Sequence, residues 1–204
     1  MTVLVAIKED DKIFVGADRQ STAGQIIEMK KEPKFMEKTF NVVDGYGKKI
    51  RESKLLLGVT GCAYLGTFLR YGFNFPDLND NIEDFEEYLI KSLFPTLKKK
   101  LVENKLVAVS NNKLNTESAF LIIYNGEMYC IETNLGVISI GGSYTAMGSG
   151  AQIALGSLHT SEDLGFTSKQ RIGLALEAAA DNTIYVSHEY DIFEIENDEI
   201  KEDK

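Results

Sequence analysis

TVLVAIKEDDKIFVGAD, residues Thr2–Asp18, carries the pattern that decides the fold. Thr2–Lys8 and Lys12–Asp18 are rich in β-branched and other apolar residues, and the acidic run Glu9–Asp11 between them predicts a turn. Neither stretch alternates apolar with polar residues in the way that a half-exposed strand does. A strand with apolar residues on both faces is covered on both sides, so the sequence predicts a hairpin buried inside the protein.

The rest of the chain predicts strands and helices in separate groups. Phe35–Val43 and Ile50–Val59 predict a second hairpin around the turn-rich tip Asp44–Lys49. Helices are expected at four places: Cys62–Phe73, Ile82 to about Leu106 with Asn81 as N-cap and a kink at Pro95, Ala151–His159, and a helix capped by Ser168 that ends near Asp181. This order predicts an α+β fold, a four-layer α/β/β/α sandwich of two antiparallel sheets flanked by helix pairs.

Composition narrows the classes of partner and of domain organisation. The 204 residues carry a formal net charge of −9, which argues against nucleic acid or an anionic membrane as the main partner. The longest apolar run, Ala119–Tyr124, is far too short to span a bilayer, and a cytoplasmic protein is expected. No linker or repeat interrupts the chain, so we expect a single domain over residues 1–204 with a charged, frayed tail from about residue 196 to 204.

Cysteine and histidine content excludes several kinds of site. Cys62 and Cys130 form no CxxC pair, which excludes zinc fingers and disulfide scaffolds. His159 and His188 are too few for a His-rich metal site. We expect both histidines to be structural or solvated, His188 in a strand, and Cys62 to be a small buried residue.

Thr2 is the first candidate for chemistry. Initiator Met is commonly removed before a small residue, which would leave an N-terminal Thr. That residue joins a nucleophilic hydroxyl to an α-amine whose pKa is roughly 7.7–8.0, so the amine can accept the hydroxyl proton. A Lys near the hydroxyl would favour its ionised form, and Asp18, at the end of the second predicted strand, would hold that Lys in place.

Four segments, in order along the chain, resemble proteasome β-subunits and the proteasome-like protease subunit HslV. They are TVLVAIKEDDKIFVGADRQSTAG (Thr2–Gly24), KLLLGVTGCAYLG (Lys54–Gly66), AMGSGAQIALGSL (Ala146–Leu158) and TIYVSHEYDIFEI (Thr183–Ile195). The resemblance implies an N-terminal nucleophile (Ntn) hydrolase fold and a threonine-type endopeptidase activity.

The resemblance also implies roles for individual residues. Thr2 would be the nucleophile, with its own α-amine as base, and Ser149 would support that amine by a hydrogen bond. Lys34 would be the catalytic Lys, because the family places this Lys 32 residues after the Thr, which is the spacing found here. Asp18 would orient Lys34. A rival alignment makes Lys49 the catalytic Lys, because the segment from Lys34 to Gly58 is longer than in the family.

The remaining implied positions concern the substrate and a cation. The backbone N–H of Gly58 would be the oxyanion donor, and the backbone at Thr22 and from Gly58 to Gly61 would hold the substrate as an added strand. The family's Asp-x-x-Ser-Gly motif is only approximated by Asp181 and Ser187. In related subunits backbone carbonyls of that loop bind a cation, and the matching positions are Ala180, Thr183 and Val186.

At the level of the whole protein, the resemblance implies a hexameric or heptameric ring, usually with two rings stacked. Unfolded polypeptide would be fed to it by a separate ATPase. No cofactor would be needed for the chemistry, although a monovalent or Mg cation could be structural. Phe35 and Leu56 suggest a preference for apolar side chains. Two alternatives stay open: an amidase of the same class acting on small molecules, and a non-catalytic shell subunit.

Overall fold

The computed structural model describes residues 2–110, 113–196 and 199–202. Its first two strands, β1 (Val3–Glu9) and β2 (Lys12–Asp18), form the antiparallel hairpin that the sequence predicts. The later strands are β3 (Gln20–Ala23), β4 (Ile26–Met29), β5 (Phe35–Val43), β6 (Lys49–Val59), β7 (Leu78–Asn79), β8 (Ala108–Ser110), β9 (Lys113–Asn115), β10 (Phe120–Tyr124), β11 (Glu127–Ile131), β12 (Val137–Ser139), β13 (Tyr144–Gly148), β14 (Tyr190–Glu196) and β15 (Glu199–Glu202).

Two larger sheets organise these strands. The first has the order β13–β1–β2–β14–β15 and is antiparallel throughout. The second has the order β12–β11–β10–β6–β5–β7 and is antiparallel except for the short β7, which runs parallel to β5. Strands β3 and β4 form a separate two-stranded ribbon, as do β8 and β9. The predicted hairpin of β5 and β6 is confirmed.

The helices follow the predicted order, with corrections at their ends. They are α1 (Ala63–Tyr71), α2 (Phe85–Tyr88), α3 (Phe94–Glu103), α4 (Ala151–Thr160) and α5 (Ser168–Asn182). Among the helices of the described chain, none has the length and apolar character needed to cross a bilayer. Together, these helices and the sheets described above give the chain a mixed α+β fold.

The predicted long helix is divided and starts later than expected. Asp84, and not Asn81, is the N-cap of α2, and its side chain accepts a hydrogen bond from the Glu86 N–H at 2.9 Å. A π-helical turn, Leu89–Leu93, separates α2 from α3, and Pro95 lies in the first turn of α3. Since Pro has no N–H and its ring crowds the carbonyl four residues earlier, regular helix cannot run through this point unchanged.

Two further local predictions are corrected. Thr167, and not Ser168, caps α5: its hydroxyl and the Gln170 side chain form a reciprocal capping box. The Ser168 hydroxyl instead donates to the Glu9 carboxylate at 2.7 Å. Part of the tail that we expected to be frayed forms β15, which pairs with β14; residues 197–198 and 203–204 lie outside the described residues.

β1 is buried on both faces, as its uninterrupted apolar sequence predicts. Val3, Val5 and Ile7 belong to a buried cluster that also contains residues of α4 and α5. The alternate residues Leu4 and Ala6 belong to a cluster shared with strands of the second sheet. Successive side chains of a strand point to opposite faces, so the same strand packs against helices on one side and against the other sheet on the other.

A third cluster lies on the other face of the second sheet. It joins residues of β5, β6, β10 and β11 to the helices α1, α2 and α3. The buried aromatic rings of Phe85 and Tyr124 stack there with their centroids 4.1 Å apart. This packing fixes α1 at the end of β6, which is important for the site described below.

We expect Gly58→Ala to destabilise the fold. A Cβ atom at Gly58 would lie 2.5 Å from Cε1 of Phe35 and 2.9 Å from Cδ1 of Leu4, in the core between the two sheets. Overpacking of this kind costs about 1–3 kcal/mol of the free energy of unfolding, measurable by urea titration. The control is Gly141→Ala, where nothing lies within 4 Å, and its effect should stay within about 0.5 kcal/mol. Equal effects of the two variants would contradict this packing.

Candidate active site

Thr2 directly precedes β1 and is 4% exposed. Its backbone nitrogen donates to the Ser149 hydroxyl at 3.1 Å, and that hydroxyl donates in turn to the Thr2 carbonyl at 3.1 Å. Val3 then pairs with Gly148 on β13. The residue that precedes the first strand is thus held between β1 and the turn that follows β13.

The Gly-Ser-Gly turn can approach Thr2 this closely because residue 148 lacks a side chain. Gly148 has a φ of +98°, and a Cβ atom there would lie 2.2 Å from the Thr2 carbonyl oxygen. Gly150 donates its N–H to the same oxygen at 3.4 Å, and α4 begins at the next residue. The sequence motif therefore acts through its backbone shape, which presents the Ser149 hydroxyl to Thr2.

Asp18 is completely buried at the end of β2 and joins four segments of the chain. One carboxylate oxygen accepts from the Val3 N–H at 2.9 Å and from the Lys34 ammonium at 2.7 Å. The other accepts from the Gln20 N–H at 3.0 Å and from the Ser187 N–H at 3.5 Å. Donors on every side stabilise the ionised carboxylate, which in turn fixes the position of Lys34.

Lys34 is 5% exposed, and the Asp18 carboxylate is its salt-bridge partner. Burial lowers the pKa of Lys34 to about 8 from 10.5, against the opposing effect of Asp18, and the charge of Lys30 lowers it further. Lys49 lies elsewhere, at the tip of the second hairpin, where it is exposed and 3.4 Å from Glu52. The geometry favours Lys34 over the rival Lys49 as the Lys beside Asp18 and Thr2.

Thr2 and Lys34 both open onto one cavity of about 250 Å³. Its other walls come from β3, from the segment before β5, from the end of β6, and from α1. Thr22 and Gly61, which the resemblance assigns to substrate-binding backbone, both line this cavity. The structure thus brings Thr2, Lys34, Thr22 and Gly61 to one space, with Asp18 and Ser149 directly behind it.

Comparison with known proteins extends this picture to the whole fold. No protein-family model matches the chain. BPH of Thiobacillus denitrificans, solved alone, superposes with a TM-score of 0.75 at 17% identity, covering 96% of this chain and 98% of BPH. The same protein in complex with epoxomicin gives 0.73 at 16% identity, covering 96% and 99%. The eukaryotic HslV of Trypanosoma brucei gives 0.61 at 18% identity, again covering 96% and 99%.

The chain has the HslV-like fold. The similarity extends over nearly the full length of both partners, so the fold implied by the four sequence segments is confirmed. At 16–18% identity the likeness concerns the fold, and the roles of individual residues depend on the geometry described here.

Gly58 does not line the cavity of this HslV-like fold. It lies within β6, between Phe35 of β5 and Leu121 of β10, where its missing side chain makes room for the Phe35 ring. Phe35 and Leu56, which suggested an apolar preference, are also buried between the sheets and not in the cavity. Gly61, three residues later, lines the cavity instead, and residue type alone does not distinguish the two glycines.

The resemblance assigns three backbone carbonyls to a cation. All three lie in the last turn of α5 or in the loop that follows it. Ala180 is in that turn, where carbonyls have no intrahelical partner, and Thr183 and Val186 belong to the loop after it. Carbonyl oxygens of this kind suit a hard cation, so the residues present fit the implied group. Among the described residues, no cluster of three or more His, Cys, Asp or Glu side chains could hold a metal ion.

Some residues near the site were missed or misjudged from the sequence. Gln20 lines the cavity and donates to the Ile184 carbonyl at 2.8 Å, which ties β3 to the loop after α5. Lys30 and Arg70 also line the cavity. The cluster of Lys residues between positions 30 and 34 could have indicated Lys30, whereas nothing in the sequence around Arg70 indicates a site. Cys62, expected to be buried, is half-buried and lines the cavity too.

The two histidines lie outside this cavity. His188, expected in a strand, precedes β14 in a loop and is exposed, with Nδ1 3.0 Å from the Glu177 carboxylate. Nδ1 of His159 is 3.2 Å from the Tyr144 hydroxyl near the end of α4.

We expect Asp18→Asn to destabilise the protein strongly. The change removes the negative charge that compensates the Lys34 ammonium, and an uncompensated buried charge costs about 3–5 kcal/mol of the free energy of unfolding. Chemical denaturation measures the loss. Asp163→Asn, at an exposed position, is the matched control and should change stability by less than about 0.5 kcal/mol. A loss as small as that of the control would show that the buried pair is not formed.

Proposed function

We propose that this protein is a threonine-type endopeptidase of the Ntn class. One observation carries the proposal: Thr2, before the first strand, lines the same cavity as Lys34, with Asp18 and Ser149 bonded behind them. A surface terminus with no cation nearby would have contradicted it. The residue types and their shared cavity instead suit nucleophilic catalysis by a terminal Thr.

The proposed reaction begins once Met1 is removed. The Thr2 nitrogen then becomes an α-amine, at an atom that already bonds to the Ser149 hydroxyl. The amine takes the proton of the Thr2 hydroxyl as Oγ attacks a peptide carbonyl and forms a C–O bond. The peptide C–N bond breaks, the leaving amine takes that proton, and water then hydrolyses the acyl ester. All protons move between groups of Thr2, substrate and water, so this chemistry requires no cofactor.

The Lys34 ammonium stabilises the anionic form of the Thr2 oxygen in this scheme. It is held by Asp18, so its charge is in place before the substrate arrives and costs no rearrangement during the reaction. Its lowered pKa, about 8, means that the ammonium form predominates at neutral pH and is lost at higher pH. Lys34 thus acts as a cation here, and the α-amine acts as the base.

We assign the oxyanion donor to the backbone N–H of Gly61 instead of Gly58. Gly61 lines the cavity and follows the end of β6, with a φ of +89°. A Cβ atom at this position would lie 2.1 Å from the Glu117 carbonyl oxygen, so only Gly fits the turn. The requirement for Gly at a turn that faces the nucleophile supports a direct backbone contact with the substrate.

An extended polypeptide is the proposed substrate. Thr22 belongs to β3, which lines the cavity, and within the described chain β3 pairs only with β4. The opposite edge of β3 therefore has backbone groups that an extended peptide would pair with as an added strand. We propose that the peptide lies between β3 and the turn at Gly61.

We propose that the chain is a single domain with the four-layer α/β/β/α arrangement. We also propose that it assembles in the cytoplasm into a hexameric or heptameric ring, which a separate ATPase serves. The three buried clusters support the layers, since each joins two neighbouring ones. Exposed apolar side chains support self-association: Ile26 is 64% exposed, Ile27 is 56% exposed and Ile184 is 74% exposed. A structural cation at the carbonyls of Ala180, Thr183 and Val186 belongs to the same proposal.

We expect Thr2→Ala to abolish proteolysis and to leave folding and assembly unchanged. The change removes the attacking oxygen, and the backbone bonds of residue 2 to Ser149 remain. Hydrolysis of casein is the measurement, with light scattering as the check on assembly. Wild-type turnover by the variant would overturn the assignment.

Two parallel measurements separate the alternatives. Intact mass shows whether Met1 is removed, and full retention of Met1 in an inactive protein would support a shell subunit. A panel of small amides, cleaved while casein is not, would support an amidase.

We expect the pH profile of kcat/KM to be a narrow bell with its maximum near pH 8. The rate rises as the α-amine loses its proton at roughly pH 7.7–8.0. It falls as Lys34, with its pKa of about 8, loses its positive charge. Lys34→Arg should move the falling limb beyond pH 10 because guanidinium does not deprotonate there, whereas the exposed Lys99→Arg should move neither limb. A falling limb that does not move in Lys34→Arg would show that Lys34 is not its source.

A further inference from the structure

The cavity beside Thr2 is positively charged in an otherwise acidic protein. Its lining contains four cationic side chains, Lys30, Lys31, Lys34 and Arg70, but only one carboxylate, that of Glu32. The chain as a whole carries a net charge of −9. The local excess of positive charge is therefore opposite to the overall balance, and it is concentrated in one concave space.

Arg70 is fixed at the wall of this cavity by carbonyl groups. Its guanidinium donates to the Pro33 carbonyl, and to the Phe35 carbonyl at 3.2 Å. These two carbonyls lie on either side of Lys34 in the sequence, so Arg70 is held close to the catalytic Lys. In the part of the chain that the structure describes, Arg70 forms no salt bridge with a carboxylate, and its positive charge is not neutralised by a bonded acid.

Lys30 adds a second cation that lacks a bonded acid. It is half-buried, lines the cavity, and forms no salt bridge among the described residues. Burial lowers the pKa of Lys30, and the positive charge of Arg70 lowers it further, against the weaker opposing effect of Asp18. Two like charges brought together in a partly desolvated space repel each other, and an anion bound between them would relieve that repulsion.

In the proposed reaction, the acyl-side residue of the substrate is the one placed to enter this space. When its carbonyl carbon lies against the Thr2 hydroxyl, its Cα is one bond away, so its side chain is the first to extend from the nucleophile into the cavity. Met36 and Val59 provide apolar wall, and the volume is about 250 Å³. The methylene groups of a glutamate would pack on this wall, and its carboxylate would reach the cations.

We propose that the cavity selects an acidic side chain, Glu or Asp, on the acyl side of the bond that is cleaved. This inference rests on the proposed peptidase function and names its substrate class. Lys30 and Arg70 are the specificity-determining residues. Lys34 is already paired with Asp18, and Lys31 and Glu32 are both exposed.

The test compares peptides that differ only in the acyl-side residue: Glu, Gln, Leu and Lys. We expect kcat/KM for the Glu peptide to exceed that for the Gln peptide by about tenfold or more, since a charge-assisted hydrogen bond is stronger than a neutral one. Lys30→Gln and Arg70→Gln should each reduce this ratio at least about threefold. The exposed residues give the matched controls Lys99→Gln and Arg51→Gln, which should leave the ratio unchanged. The ratio is the readout because a general disturbance of Lys34 would slow both peptides equally.

A binding experiment separates failure of this inference from failure of the proposed function. In Thr2→Ala, calorimetry measures the dissociation constants of the Glu and Gln peptides without any hydrolysis. Tighter binding of the Glu peptide, lost in Thr2→Ala combined with Lys30→Gln, would support the acidic preference even if the wild type cleaves no peptide. Equal binding and equal cleavage of the Glu and Gln peptides, or a preference for Leu or Lys, would overturn it.

Discussion

The buried ion pair between Asp18 and Lys34 is the interaction on which the site depends. A carboxylate with no exposed surface is stable here only because it accepts bonds from an ammonium and from backbone N–H groups. Those donors belong to different strands and loops, so they surround Asp18 only in the folded chain. The charge beside Thr2 is therefore a product of folding, and its position is fixed by the packing of the strands.

The β1–β2 hairpin supports that pair because it is buried on both faces. Residues of β1 pack alternately against α4 and α5 and against the second sheet, which leaves its first residues little freedom to move. Thr2 precedes this strand by one position, and Asp18 ends its partner strand, so the hairpin brings the two together. Rigid strands are a more accurate support for reacting groups than loops, and this location suits a nucleophile that needs a fixed orientation.

Glycine has two separate structural roles around the cavity, one in packing and one in turn shape. Gly58 is required for packing, because the Phe35 ring occupies the place of its side chain. Gly148 and Gly61 are required for turn shape and for close backbone approach, with φ angles of +98° and +89°. The GVTG segment contains one glycine of each kind, three residues apart. Only the three-dimensional neighbours of each residue distinguish the packing glycine from the one that lines the cavity with Thr2.

The sequence by itself determined the order of the main elements, the buried first hairpin and the turn at Ser149. It left Lys34 and Lys49 open as the partner of Asp18, and the fold selects Lys34, 16 residues after Asp18. These features follow from local patterns, apolar periodicity and the resemblance to known sequences. Helix ends near Asp84 and Thr167 were displaced by a few residues, since several neighbouring residues can serve as caps and side-chain geometry selects among them. Tertiary structure alone decided that Arg70 and Lys30 meet at the cavity. Their 40-residue separation along the chain has no periodic signal, and α1 reaches that wall only because its apolar face packs on the second sheet.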